Sequence, residues 1–411
     1  MNIWIFNHYA QGPDLPGGTR HYDLAKKLVA AGHRVTIFAA GFHYTLLKEV
    51  VEYNGRGSRV DVVDGVHFVW VKTVPYKKND YRRFLNMVSY AVRLYFLVPR
   101  LGLPEPNCVV GSVVHPLAPI VGAYFAKKYK ASFVYEIRDL WPQTFIDMGV
   151  WREKGFKARF FRKLERRSVV QSDLIITLSP KTSRYLSLRY GDRRVLYLPN
   201  GVDLSAFDAR YEKYVTHKGN PTIDRIRLLR DQGKFIALFT GAIVKSNNVG
   251  LLLDCAERLH NKRIHIVIVG TGMERARFHK RVVEQGLNNI EFLDPVSKRL
   301  VPVLLRSANL LILVQGRVGW GSTNKLFDYM ASGRPIVTAL FADHNNVVRE
   351  ASCGFAVNPE DARALAEALG MASEMSKKSL DVLGRNGLEY VRIHNAMDVL
   401  GQKLDAALKA L

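Results

Sequence analysis

Gly319-Trp320-Gly321-Ser322-Thr323-Asn324-Lys325-Leu326-Phe327-Asp328-Tyr329-Met330-Ala331-Ser332-Gly333-Arg334-Pro335 reads as a glycine-rich loop, a short helix and an abrupt stop. The apolar run Leu310–Val314 precedes it and Pro335–Thr338 follows. A loop that leaves a buried strand and opens a helix is where doubly wound α/β domains bind ligands. Ser322 and Thr323 suit the helix cap. Lys325 falls in the first turn, beside backbone N–H groups that carry partial positive charge, so a diphosphate fits there. Asp328, one turn further along the same face, is placed to take two ribose hydroxyls. The plainer reading makes Lys325 and Asp328 an exposed helix pair.

Outward from this segment the chain alternates apolar runs with helical periodicity. In the second half, Phe235–Thr240, Ile264–Val269, Ile290–Leu293, Leu310–Val314, Pro335–Thr338 and Phe355–Val357 have the character of buried strands. In the first half, Ile3–Phe6, Arg34–Ala39, Val66–Val71, Cys108–Val114, Ser132–Ile137, Leu174–Leu178 and Val195–Leu198 do the same. Continuous apolar strands separated by helices predict a parallel sheet covered on both faces. The alternation breaks at Asn200-Gly201-Val202-Asp203, before a polar, basic connection over Tyr211–Asp231. The expected fold class is therefore α/β, with two Rossmann-like doubly wound domains, 1–203 and 204–385, facing a central cleft. A closing helix over 386–411 is expected to pack back on the first domain.

Further glycine turns follow strands elsewhere. Gly17-Gly18 precedes a helix beginning near Arg20, and serves either as a structural turn or as a backbone cradle for an anion. Gly241 and Lys245 follow the first strand of the second domain, and Gly270 and Gly272 follow its second. Gly270-Thr271-Gly272 lacks the third glycine of a dinucleotide fingerprint, which disfavours a dehydrogenase. There is no Asp-x-Asp and no cluster with metal-ligand spacing. A diphosphate would thus have to be met by cations, for which Lys245, Arg317 and Lys325 are available, and by the helix start near Thr323.

With 411 residues, 48% hydrophobic and 24% charged, the composition is that of a folded globular chain. The first residues lack a secretory signal, which predicts a cytoplasmic protein. Cys108, Cys255 and Cys353 are widely spaced and fit neither disulfides nor zinc. Val109–Ala126 is uncharged, but its Pro116 and Pro119 argue against a membrane span. The net charge of +23 is unevenly shared, with a balance of +15 in residues 1–203 and +8 in 204–411. Within 151–167, Phe156, Phe160 and Leu164 recur at helical spacing among basic residues, and 76–98 repeats the theme. That pattern fits an anionic membrane surface; the alternative is a core-facing stripe with a solvated basic face.

Taken together, Gly17-Gly18-Thr19-Arg20, Leu198-Pro199-Asn200-Gly201-Val202-Asp203, Val269-Gly270-Thr271-Gly272 and Lys325–Pro335 resemble glycosyltransferase family 4 over nearly the whole chain. Glu136-Ile137-Arg138-Asp139-Leu140-Trp141-Pro142 is similar to the branch that adds acetylated amino sugars in O-antigen and capsule assembly. The resemblance implies a GT-B fold, a UDP-linked sugar donor and transfer with retention, without a metal or other cofactor. It implies donor contacts at the second-domain glycines, Lys325 and Asp328, and a histidine, His115, against the donor sugar. Arg138 and Asp139 would orient sugar or acceptor, or pair with each other. Trp320 stands where relatives carry a first acidic residue, and Ala242 and Asn247 replace their usual Arg and Lys. The expected partners are a nucleotide-sugar, a polyprenyl-diphosphate-linked acceptor and the inner face of the plasma membrane, with no nucleic acid. The rivals are a nucleotide-sugar 2-epimerase of the same shape and a basic nucleic-acid-binding protein, which would show steep salt dependence.

Overall fold

The apolar runs pair as parallel strands because both of their faces can be covered. In the computed structural model, which describes residues 1–411 except 16, 54, 56, 79, 317–319, 321–323, 342 and 343, and the backbone alone of residues 344 and 345, the chain forms two compact units. The first comprises Met1–Asn200, Trp320–Ser322 and Met397–Leu411; the second comprises Gly201–Gly319 and Thr323–Ala396.

The first unit holds β1 (Asn2–Phe6), β2 (Arg34–Ala40), the short β3 (Phe42–His43) and β4 (Lys48–Glu49), β5 (Ser58–Val63), β6 (Val66–Val71), β7 (Cys108–Val113), β8 (Ser132–Ile137), β9 (Leu174–Thr177) and β10 (Val195–Tyr197). Its main sheet runs β10-β9-β8-β7-β1-β2-β6-β5, parallel except for β5 at the edge. The helices are α1 (Arg20–Ala30), α2 (Tyr81–Leu97), α3 (Leu117–Tyr129), α4 (Gln143–Asp147), α5 (Phe156–Gln171) and α6 (Pro180–Tyr190). Alternate residues of β1 serve opposite faces, as the strand pleat requires. Ile3 and Ile5 join a core with Leu24 and Leu28 of α1. Trp4 and Phe6 join another with Tyr90 and Leu94 of α2 and Phe125 of α3.

The second unit contains α7 (Leu204–Tyr214), α8 (Pro221–Asp231), β11 (Phe235–Thr240), α9 (Gly250–Ala256), β12 (Ile264–Val269), α10 (Arg275–Glu284), β13 (Ile290–Leu293), α11 (Val301–Ser307), β14 (Leu310–Val314), α12 (Asn324–Ala331), β15 (Ile336–Ala339), α13 (His344–Glu350), β16 (Gly354–Val357), α14 (Ala362–Glu374) and α15 (Lys377–His394). Its parallel sheet runs β13-β12-β11-β14-β15-β16, the strand order of a Rossmann domain.

Three details differ from the sequence reading. The connection 211–231 is largely helical, because Asp203 and Asn220 cap α7 and α8 and Pro221 begins the second. The stretch 386–411 is not one helix: α15 ends at His394, and a separate α16 (Met397–Lys409) follows. Only α16 belongs to the first unit, where Leu400, Leu404 and Leu408 enter the core beside α1. Finally, Phe156 and Phe160 of α5 are 84% and 46% exposed, so the stripe they begin is not core-facing. No helix among the described residues is long and apolar enough to cross a membrane.

Candidate active site

In the second unit the strand order reverses between β11 and β14, which opens a crevice at their C-terminal ends. The loops there are tied together by their backbones. Gly241 N–H donates to the Val269 carbonyl at 3.0 Å, Ile243 N–H to Thr271 at 2.9 Å and Gly316 N–H to Ser246 at 2.8 Å. Gly270 is required by close approach, since a β-carbon there would overlap the carbonyl oxygen of Gly241. Gly272 stands in the same relation to the Ile243 carbonyl.

Lys325, from the first turn of α12, reaches back over this point. Its ammonium lies 4.9 Å from the centre of the Phe239 ring and against Gly241, where a β-carbon would collide with Nζ. Burial lowers its pKa to about 8, because taking a charge out of water disfavours the charged form. Tyr329, on the same helix, accepts from Thr240 N–H at 3.0 Å and fixes α12 to the end of β11. Asp328 is partly exposed on that helix, and Lys245 is exposed in the loop after β11. Gly241, Lys325 and the Gly270–Gly272 turn are thus brought together. Arg317 and Thr323 lie outside the described residues.

In the first unit the order reverses between β1 and β7, and a histidine stands two residues past the end of each strand. His8 and His115 meet there, Nδ1 to Nε2, at 2.7 Å. Leu117 N–H donates to His115 Nδ1 at 3.3 Å, so a neutral His115 carries its proton on Nε2 and donates it to His8. Burial, then the Arg83 charge, lowers the His115 pKa to about 3. Burial and the charges of His115 and Arg83 hold His8 well below its usual value. The pair is therefore neutral at pH 7 and packed under Tyr90, which stacks on His8 at 4.3 Å. Both nitrogens of His115 are engaged, so a sugar would reach Nε2 only by displacing His8.

Arg138 and Asp139 follow β8 directly, and Asp139 lies within electrostatic reach of Arg138 and Arg83. Gly17, at φ +115°, and Gly18 precede α1. Two residues further, Arg20 turns inward. Its guanidinium donates to Glu136 Oε1 at 3.0 Å and to the carbonyls of Leu198 and Pro199 at 2.8 and 2.6 Å. His21 Nε2 donates to the other Glu136 oxygen at 2.6 Å and accepts at Nδ1 from Asn7 at 2.8 Å. Burial would raise the Glu136 pKa, but His21 and Arg20 hold it well below the carboxylate range. This network ties α1, β8 and the end of β10 together beneath the site.

Sequence reasoning missed His8, Arg83 and Glu136. The signal for His8 was its position relative to β1, which repeats that of His115 relative to β7. Beside Arg83 an aromatic wall is built from Trp141, Phe145, Trp151 and Phe161, with neighbouring ring centres 4.5–5.3 Å apart.

A family model described as "Glycosyl transferase 4-like domain" matches residues 17–201, and one described as "Glycosyl transferases group 1" matches 234–374. The protein of Escherichia coli strain K12 named "Putative colanic acid biosynthesis glycosyl transferase WcaI" is 25% identical over 378 residues, covering 89% of this chain and 90% of that one. Among solved structures, sucrose-phosphate synthase from Thermosynechococcus elongatus superposes with a TM-score of 0.76 at 16% identity, over 100% of this chain and 98% of that one. Anabaena HepE, in complex with UDP and glucose, gives 0.69 at 17% identity over 100% of both. The two doubly wound units have the GT-B architecture of these solved structures, and the family models make the chain a glycosyltransferase. The chain belongs to glycosyltransferase family 4.

Proposed function

We propose that this glycosyltransferase moves an N-acetylated amino sugar from a UDP-linked donor to a polyprenyl-diphosphate-linked acceptor of an envelope polysaccharide, with retention of configuration and without a metal. It would work in the cytoplasm, bound to the inner face of the plasma membrane. The observation that carries the reading is the Lys325 ammonium held against Gly241 at the switch point of the second unit. A UDP and glucose complex of a similarly folded protein and a relative named for colanic acid biosynthesis support donor type and pathway class.

In this reading Lys325 and the close-packed glycine loops at Gly241 and Gly270 receive the diphosphate, with Lys245 and Arg317 as further cations, and Asp328 takes the ribose. Negative charge grows on the diphosphate as the anomeric C–O bond breaks, so stabilising that charge is the main catalytic contribution. The acceptor hydroxyl oxygen bonds to the anomeric carbon on the face the diphosphate leaves, and its proton passes to a phosphate oxygen. His115, Arg138 and Asp139 are the residues of the first unit assigned to orient sugar or acceptor in this reading. Product analysis tests this: nuclear magnetic resonance of the glycoside formed from a UDP-N-acetylamino sugar should show the anomeric configuration of the donor. An inverted product would overturn the mechanism.

A pH dependence follows from Lys325. UDP affinity should fall above pH 8 by up to about tenfold per unit, as the ammonium loses its proton. Ligand-free stability should move the other way. Between pH 8 and 10.5 the unfolded chain holds more protons on this lysine than the folded one, so this group's contribution to stability rises with pH. Isothermal titration calorimetry and urea unfolding across pH 6.5–10 check the two signs.

A further inference from the structure

Beside the polar cluster of the first unit lies an open groove of about 590 Å³ between the start of α2, the turn before α4 and the N-terminal half of α5. Its volume is that of a small-molecule site. Its walls include Phe84, Trp141, Phe145, Trp151, Phe160 and Phe161. The rings of Trp141, Phe145, Trp151, Phe160 and Phe161 pack against one another, and Phe84 and Phe160 remain 49% and 46% exposed. A concave surface lined mainly by aromatic side chains, with a few polar groups at its edge, is the usual form of a site for an apolar ligand.

The charges around the groove are ordered. Arg83 and Lys157 line it, with Asp80 at the rim, where the Asp80 carboxylate accepts from Arg82 N–H as the α2 cap. Arg82, Lys154 and Arg159 are exposed nearby on the same segments. Arg83 has two neighbourhoods. It lines the apolar groove, and its charge is also felt by His8, His115 and Asp139 at the switch point. A molecule lying along the groove past Arg83 must therefore be apolar in its body and anionic where it turns toward the polar cluster.

We propose that the groove binds the hydrocarbon chain of the lipid-linked acceptor, and that Arg83 meets its phosphate where the chain gives way to the sugar. The assignment rests on the transferase reading above and adds a site for the acceptor. It separates two jobs in one surface. The exposed cations around the groove attract an anionic amphiphile, and the aromatic wall distinguishes a phosphate carrying a long apolar chain from one that does not. The affinity for the chain grows with the apolar area it buries. Another pocket of this unit is lined by Arg162, Arg166, Arg189 and Arg193 with Val170 and Tyr190; it offers an anion site richer in cations than in aromatic rings, and makes inorganic diphosphate the necessary control.

Geranyl, farnesyl and geranylgeranyl diphosphate, each below its micellar concentration, are titrated into the full chain, with tryptophan fluorescence as the readout because Trp141 and Trp151 line the groove. Affinity should rise with chain length, and inorganic diphosphate should neither bind comparably nor displace the probe. The double variant Phe84→Ser, Phe160→Ser, at two exposed helix positions, should weaken farnesyl diphosphate binding about tenfold. Arg83→Gln should weaken farnesyl diphosphate but leave farnesol unchanged. Equal affinity across the chain lengths, displacement by inorganic diphosphate, or binding to anionic vesicles with none to the monomeric probes would overturn the proposal. The last result would make the groove a membrane-docking face. A parallel thermal-shift titration with UDP separates the two readings. A UDP response without chain-length dependence removes the groove alone; probe binding without a UDP response removes its role as an acceptor site.

Discussion

Glu136→Ala is expected to destabilise the first unit by about 3–5 kcal/mol, the usual cost of removing one partner from a buried ion pair. The side chains of Arg20 and Glu136 are 2% and 3% exposed, so the guanidinium left behind is out of reach of water. His21 loses its acceptor in the same substitution. Urea unfolding followed through the fluorescence of the first unit's tryptophans measures the effect; a change below about 1 kcal/mol would mean that the network rearranges around the loss. Glu136→Gln keeps a hydrogen-bond acceptor and should fall between the two. The sign with pH is fixed by the low folded pKa of Glu136: its contribution is complete above the unfolded carboxylate pKa of 4.5 and is lost as pH falls toward the folded value.

The largest functional effect is expected at Lys325. Lys325→Ala should weaken UDP binding about 10–150-fold, the range for a charge-assisted hydrogen bond worth about 1.5–3 kcal/mol, and lower kcat by about a hundredfold or more. The loss should be specific for the diphosphate: uridine should bind wild type and variant alike. Lys325→Arg should rescue little, because the ammonium already lies against Gly241 and a planar guanidinium needs more room. Calorimetric titration of UDP and uridine against the three proteins gives the comparison. Equal weakening of both would show that the substitution had disturbed the loop fold and not the phosphate contact.

The central strands were legible because a strand buried on both faces is written as an uninterrupted apolar run. β5 was not, since Val60 and Val62 are exposed at the sheet edge and alternate with Arg59 and Asp61. α7 and α8 were obscured by their charge, although Asp203 and Asn220-Pro221 are ordinary helix-start signals. The break between α15 and α16 falls at Asn395-Ala396, where no proline or glycine announces it.

The candidate site was legible where chemistry depends on chain neighbours and opaque where it depends on sheet order. Glycine after a strand and lysine in a helix's first turn are local signals, so Gly241, Gly270, Gly272 and Lys325 could be named from the sequence. That His8 faces His115, or that Arg20 reaches Glu136 across 116 positions of chain, follows only from the adjacency of β1 and β7 and from the buried path between α1 and β8. Arg83 was hidden for another reason. Within a basic run it looks like one surface charge among several, and only the aromatic groove on one side and the buried histidines on the other distinguish it.

In the proposed function the second unit receives a UDP-linked sugar through cations and backbone alone. The most direct test is a thermal-shift titration of the purified protein with UDP, GDP and a panel of UDP-sugars, in the presence and absence of a chelator. Stabilisation by UDP and by at least one UDP-N-acetylamino sugar, unchanged by chelator, is the expected result. At a hundred times the dissociation constant the gain should reach about 2.7 kcal/mol. No response to any uridine nucleotide, or a response that the chelator abolishes, would contradict it.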